Sequence, residues 1–166
     1  MGNLIVGKQH PTKLCVSMNN SSTEVVISLL SMAASDLSST RSEMDLSVAI
    51  SARDQSLLGQ GCVGFDIRGL PWSRTEIEFN ADKNYFSQVI GLASSGYGAE
   101  RLKYEPGLDL INPIFKDFNK LLEGMEFEDV CEYEIDRTLI PEFPYEKCNK
   151  HVCYKHLEGC VICNAE

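Results

Sequence analysis

The chain has 166 residues, with 24 acidic against 15 basic side chains and a formal charge of −9. That length suits one domain that builds its own hydrophobic core. With 43% hydrophobic and 23% charged residues, the composition is that of a globular protein and excludes a disordered chain. The acidic balance argues against a nucleic-acid-binding protein, because phosphate contacts need clustered Lys and Arg.

The apolar segments are too short for a membrane protein. The longest, residues 25–34, is interrupted by serines, and the apolar stretch near the N-terminus is too short for the core of a signal peptide. We therefore expect a cytoplasmic protein with no membrane or nucleic-acid partner. In a reducing compartment, the seven cysteines point to metal binding more than to disulfides.

The first 74 residues carry six acidic and six basic side chains and are rich in β-formers. Alternation of apolar and polar residues predicts strands at 14–18, 44–50 and 62–67. Residues 25–34 fit a helix or a strand, and we favour a strand because residues 12–18 otherwise lack a hairpin partner. Residues 35–42 are expected to form a polar loop.

The second part of the chain carries all of the net negative charge and shows helical periodicity. Apolar stripes predict helices at 81–95, capped by Asn80, and at 108–124. Alternation then predicts a strand at 131–136 with an acidic outer face. The fold class is therefore α+β, with an N-terminal, mostly antiparallel sheet and two or more helices on one face. We expect one domain over residues 1–140 and a Cys/His-rich tail over residues 141–166.

The tail holds the strongest chemical signal in the sequence. Six soft metal ligands occur within sixteen residues, and Cys160-x-x-Cys163 has the spacing of a zinc knuckle. The preferred set is Cys148, Cys153, Cys160 and Cys163, and His151 or His156 could replace either of the first two. We predict a structural zinc ion that makes the tail a small appendage, with disulfides or an unstructured tail of free thiols as alternatives.

Two other motifs favour structural roles. Gly59-x-Gly61-x-x-Gly64 has the letters of a dinucleotide-binding motif, but a strand and a proline turn follow it where a helix is required. We interpret the glycines as allowing a bulge or a close approach between strands. Cys62 lies in a β-pattern among small residues, which favours a core side chain over a nucleophile.

Acidic residues are concentrated near the end of the second part. Seven acids and no base lie between Glu123 and Asp136, which indicates either a solvated face or a docking surface for a basic protein partner. The candidate partner-binding residues are Glu126, Glu128, Asp129, Glu132, Glu134 and Asp136.

One stretch resembles a known group of proteins. The run Gly64-Phe65-Asp66-Ile67-Arg68-Gly69-Leu70-Pro71-Trp72, followed by Phe79, Lys83, Phe86 and Leu102-x-Tyr104-Glu105-Pro106, is similar to small bacterial immunity proteins of polymorphic or contact-dependent toxin systems. The similarity covers about residues 44–125. It implies a non-enzymatic inhibitor with no catalytic residues, whose basic partner is a cognate toxin. The alternatives are a zinc-stabilised adaptor or regulatory domain and an enzyme of unrecognised type.

Overall fold

The protein is an α+β fold with a small sheet near its N-terminus. The computed structural model describes residues 3–8 and 14–166. In that part of the chain, three strands form one sheet in the order β2-β1-β3: β1 (Asn3–Val6), β2 (Val16–Met18) and β3 (Phe65–Asp66). Strand β1 pairs antiparallel with β2 and parallel with β3, so the sheet is mixed.

Helices make up most of the described residues. Short 3₁₀ turns at Ile67–Gly69 and Ala99–Arg101 accompany them. None of these helices combines the length and the apolar run needed to cross a bilayer. The helices are α1 (Asn20–Leu37), α2 (Arg41–Ser51), α3 (Gln55–Leu58), α4 (Glu76–Ser94), α5 (Leu108–Glu123), α6 (Phe127–Cys131) and α7 (Val161–Ala165).

The structure confirms three predicted elements. The strand expected at 14–18 is β2, and the helices expected at 81–95 and 108–124 are α4 and α5. Helix α4 begins five residues earlier than expected, because the Thr75 side chain, and not that of Asn80, accepts the hydrogen bond from the Glu78 backbone N–H. The long apolar stripes mark these helices because each has one buried and one exposed face.

Two predicted strands are wrong. Residues 25–34 lie in α1, capped by Asn19, and residues 44–50 lie in α2. Every residue from Val26 to Ser35 is buried, as is every residue from Leu46 to Ser51. A helix that is buried all round has no polar face to reveal its period, so chance alternation of apolar residues imitated a strand. The predicted loop at 35–42 shrinks, since α1 continues to Leu37.

The other two predicted strands also change. Of residues 62–67, only Phe65 and Asp66 form a strand, and Cys62 is exposed instead of in the core. The close approach predicted for the glycines is confirmed at Gly64, where a Cβ atom would lie 2.7 Å from the Leu4 carbonyl oxygen. Residues 131–136 form no strand. Cys131 is the last residue of α6, and the chain that follows it to residue 136 is irregular.

The core is organised by aromatic rings between the sheet and the helices. The Phe118 ring of α5 packs edge-on against Phe86 of α4, with ring centroids 5.7 Å apart, and against Phe65 of β3 at 6.3 Å. Trp72 extends this contact to Phe86 and Phe79. Edge-to-face pairs of this kind add to the free energy gained from burying the rings.

The Cys/His-rich segment packs onto this core. Cys153, Val161 and Ile162 belong to the same buried cluster as the helices, and α7 contacts α1 and α3. Ser35 of α1 fixes the segment at two points. Its side-chain oxygen accepts a hydrogen bond from the Tyr154 backbone N–H at 2.8 Å, and its carbonyl oxygen accepts one from Lys147 Nζ. The boundary proposed at residue 140 stays a prediction.

Candidate metal centre

The first half of the candidate metal centre is a tight turn from Cys148 to Cys153. The Val152 backbone N–H donates to the Cys148 carbonyl oxygen, and the Cys148 N–H donates to the Cys153 carbonyl oxygen, each at 2.8 Å. Val152 takes a left-handed backbone conformation with a φ angle of 59°. Within this turn, the His151 backbone N–H points at Cys148 Sγ, 3.5 Å away. The turn therefore places the Cys148 and His151 side chains on the same side.

The second half comes from the start of α7. Cys160 is the N-cap residue directly before α7, and Cys163 lies in the first turn of the helix. Because residues three apart in a helical turn lie on one face, both sulfur atoms point toward the Cys148–His151 turn. A short connection containing a bridge between His156 and Gly159 returns the chain to this point.

The four side chains meet in one group. The ligand atoms of Cys148, His151, Cys160 and Cys163 all lie within 4.8 Å of one another. The Cys148 and Cys163 sulfur atoms are 3.7 Å apart, and His151 Nδ1 lies 3.8, 3.5 and 3.4 Å from the sulfurs of Cys148, Cys160 and Cys163, respectively. Zinc bond lengths place two sulfurs of a tetrahedral site about 3.8 Å apart, and a sulfur and a nitrogen about 3.5 Å apart. The group has the dimensions of a metal site.

Burial and neighbouring thiols shift the pKa values within the group. Burial, together with the nearby Cys160, raises the pKa of Cys163 to about 12. The contact with Cys153, together with burial, raises the pKa of Cys160. Burial lowers the pKa of His151, which keeps its imidazole neutral and able to ligate. Binding a cation therefore requires the thiols to release protons, so metal affinity must fall as the pH falls.

A carboxylate lies near the far side of the His151 ring. With Nδ1 facing the sulfurs, the buried Nε2 atom has no hydrogen-bond partner within the described residues, and Glu166 Oε1 lies 3.4 Å from it. Hydrogen bonds from Lys150 and Lys103 lower the pKa of Glu166 to about 2, so this carboxylate is ionised. A carboxylate beyond a metal-bound histidine fixes the tautomer of the ring and increases its basicity as a ligand.

Two of the six candidate ligands lie outside the group. The Cys153 sulfur is fully buried and lies 3.6 Å from that of Cys160, but it is not one of the four converging atoms. Both ring nitrogens of His156 are already engaged: Nε2 lies 3.0 Å from Asp54 Oδ2, and Nδ1 accepts from the Glu158 backbone N–H. Of the sets left open by the sequence, the geometry matches the one in which His151 replaces Cys153.

The ligand spacing in the sequence carries a signal for this choice. Cys148 and His151 are separated by two residues, as are Cys160 and Cys163. Paired ligands at this spacing are typical of structural zinc sites. The spacing favours the pair Cys148 and His151 over the preferred pair Cys148 and Cys153.

Asp54 connects the segment to the body of the protein, a role that no sequence motif indicates. Its buried carboxylate receives hydrogen bonds from His156 Nε2, from Asn164 Nδ2 at 2.8 Å and from the Ser56 backbone N–H at 2.8 Å. Burial acts to raise the pKa of Asp54, but these hydrogen bonds outweigh it and the pKa is lowered. Arg101 adds a second link, from the Asp36 carboxylate to the His151 carbonyl oxygen.

The candidate partner-binding acids divide into two groups. Asp129 pairs with Lys8 at 2.8 Å, and Asp136 pairs with Arg53 at 2.9 Å. The remaining four are exposed, and none forms an ion pair with residues 3–8 or 14–166. The expected placement of Glu132, Glu134 and Asp136 on one strand face is wrong, since no strand forms there. The four exposed acids are Glu126, Glu128, Glu132 and Glu134.

Comparisons of this chain with protein families, with curated proteins and with solved structures found no match. The resemblance to immunity proteins therefore stays a prediction.

Proposed function

We propose that the protein is a non-enzymatic binding protein whose C-terminal segment is held in its folded form by one structural Zn²⁺ ion. The ligands would be the thiolates of Cys148, Cys160 and Cys163 and Nδ1 of His151. The observation that carries this proposal is the convergence of these four atoms within 4.8 Å of one another, with His151 Nδ1 3.4–3.8 Å from all three sulfurs.

The donor set favours zinc in a structural role. Thiolate and imidazole ligands in a tetrahedron suit Zn²⁺, whereas Ca²⁺ and Mg²⁺ require oxygen ligands. A catalytic zinc keeps one position open for water or substrate, but here four side chains of the chain fill all four positions. The segment has one helix of five residues, and such an ion would add to the order that its contacts with α1 and Asp54 provide.

Metal analysis of matched variants tests the zinc site. Purified wild-type protein should contain about one zinc per chain, and His151→Ala and Cys160→Ser should reduce that content strongly. The matched controls are Cys62→Ser and Cys131→Ser, because both cysteines are exposed and lie outside the four-residue group. Zinc that survives His151→Ala would refute the assigned ligand set.

We also propose that the binding function uses the four exposed acids to attract a basic protein partner. Four carboxylates within nine residues create a local negative field, which steers a cationic partner and speeds its association. The predicted immunity function belongs here, with a basic toxin as the partner.

Binding kinetics test the docking proposal. The triple variant Glu128→Gln, Glu132→Gln, Glu134→Gln should bind a basic toxin encoded beside this protein more slowly and with a flatter salt dependence. The charge-matched control is the triple variant Glu76→Gln, Glu105→Gln, Glu142→Gln, which removes three exposed acids that lie outside this cluster. If the Glu128, Glu132 and Glu134 variant associates as fast as wild type, the acids form only a solvated face and do not attract the partner.

A further inference from the structure

The candidate metal centre contains one more thiol than the metal needs. Cys153 lies outside the four ligands, yet its sulfur is 3.6 Å from that of the ligand Cys160. The other close sulfur pair, Cys148 and Cys163, is 3.7 Å apart. Four cysteines can pair in three ways, and these two contacts select one of them.

We propose that the cluster is an oxidation site at which the disulfides Cys148–Cys163 and Cys153–Cys160 form and expel the zinc ion. This inference rests on the proposed zinc site and adds a regulated state to it. Cys153 is the residue that makes full oxidation possible, because three ligand cysteines alone can form only one disulfide.

The chemistry requires a two-electron oxidant such as hydrogen peroxide. In the first step, a ligand thiolate attacks one peroxide oxygen and becomes a sulfenic acid as hydroxide leaves. The neighbouring thiolate then attacks the sulfenic sulfur, and a second hydroxide leaves as the disulfide forms. For both pairs together, three thiolates, one thiol, two peroxide molecules and three protons give two disulfides and four waters, and Zn²⁺ is released.

The structure also orders the two events. Cys163 is exposed, whereas Cys160 is 4% exposed and Cys153 is fully buried. Peroxide therefore reaches Cys163 first, and Cys148 lies within 3.7 Å to complete the disulfide. The ion then retains only Cys160 and His151 as ligands and leaves. The buried pair Cys153–Cys160 oxidises second.

The test begins with zinc-loaded protein whose metal content has been measured. Graded amounts of hydrogen peroxide are added while a colorimetric chelator reports released zinc and a thiol reagent counts the remaining thiols. Peptide mass mapping then identifies the disulfides. We expect two cluster thiols to be lost with each zinc released and four at complete oxidation, with cross-links joining Cys148 to Cys163 and Cys153 to Cys160.

Two variants sharpen the test. Cys153→Ala should bind one zinc and still release it, but should lose only two cluster thiols at complete oxidation and form only the Cys148–Cys163 cross-link. Cys62→Ser removes an exposed cysteine outside the cluster and should leave the cluster's thiol count and both cross-links unchanged.

The outcomes separate the two proposals. Protein that contains no zinc before peroxide is added refutes the zinc site itself. If zinc-loaded protein keeps its metal while Cys62 is oxidised, only the oxidation proposal is refuted. A Cys160–Cys163 cross-link, or zinc release without any disulfide, also overturns the oxidation proposal.

Discussion

Replacing Asp54 tests whether the C-terminal segment is anchored to the body of the protein. Asp54→Ala removes the acceptor for His156 and Asn164 and the cap of α3. The buried His156 donor left without a partner costs about 1–3 kcal/mol. The lost cap costs about 1 kcal/mol more. We therefore expect the free energy of unfolding to fall by about 2–4 kcal/mol.

Urea denaturation of zinc-loaded protein measures this loss. Asp117→Ala, which breaks an exposed pair with Lys120, is the control and should change stability by less than about 0.5 kcal/mol. Asp54→Ala with an equally small effect would show that the carboxylate does not hold the segment, and the reasoning would fail.

The Asp54 carboxylate should also make the stability of the protein depend on pH. Because the pKa of Asp54 in the folded protein is below its ordinary value of 3.8, its stabilising effect is fully present above that value. The effect is lost as the pH falls through the folded-state pKa. The stability difference between wild type and Asp54→Asn should therefore stay constant above about pH 5 and shrink below about pH 4. A difference that shrinks near neutral pH would point to another group.

Three further predictions concern the core and the glycines. Phe118→Ala should cost about 3–5 kcal/mol in a denaturant melt, since the ring is fully buried, whereas Ile77→Ala, at a site 85% exposed, should cost under about 0.5 kcal/mol. Gly64→Ala should destabilise by about 1–3 kcal/mol, because its Cβ would collide with the Leu4 backbone. Gly91→Ala in α4 should stabilise by up to about 1 kcal/mol, because nothing lies within 4 Å of the added Cβ. Equal effects at the two glycines would contradict the packing described for Gly64.

The parts of the fold that could be predicted from the sequence are those in which apolar residues recur at a regular spacing. Helix α5 is evident in the sequence because Ile111, Phe115, Phe118 and Leu122 recur on one face while the opposite face is exposed. Most of α1 and the second half of α2 are hidden because residues 26–35 and 46–51 are all buried, which erases that contrast. For α2, a local signal is present: Thr40 and Glu43 form a reciprocal capping box, which marks a helix start independently of periodicity.

The candidate metal centre could also be predicted only in part from the sequence. Composition alone locates the candidate metal-binding segment, because six soft ligands in sixteen residues favour a metal site. The two-residue spacing indicates His151 over Cys153, but the placement of the side chains depends on a turn in which Val152 adopts a positive φ angle, and periodicity does not report on such a turn. Asp54 anchors the C-terminal segment through contacts with residues more than one hundred positions away in the chain, which no local pattern indicates.

X-ray absorption at the zinc edge tests the central claim most directly, because it counts the ligand atoms around the ion. The proposed site predicts three sulfur atoms at about 2.3 Å and one nitrogen at about 2.0 Å. His151→Ala should remove the nitrogen contribution or the metal, and Cys153→Ala should leave the spectrum unchanged. A wild-type spectrum with four sulfurs, or with an oxygen from water in place of His151, would contradict the closed Cys₃His centre.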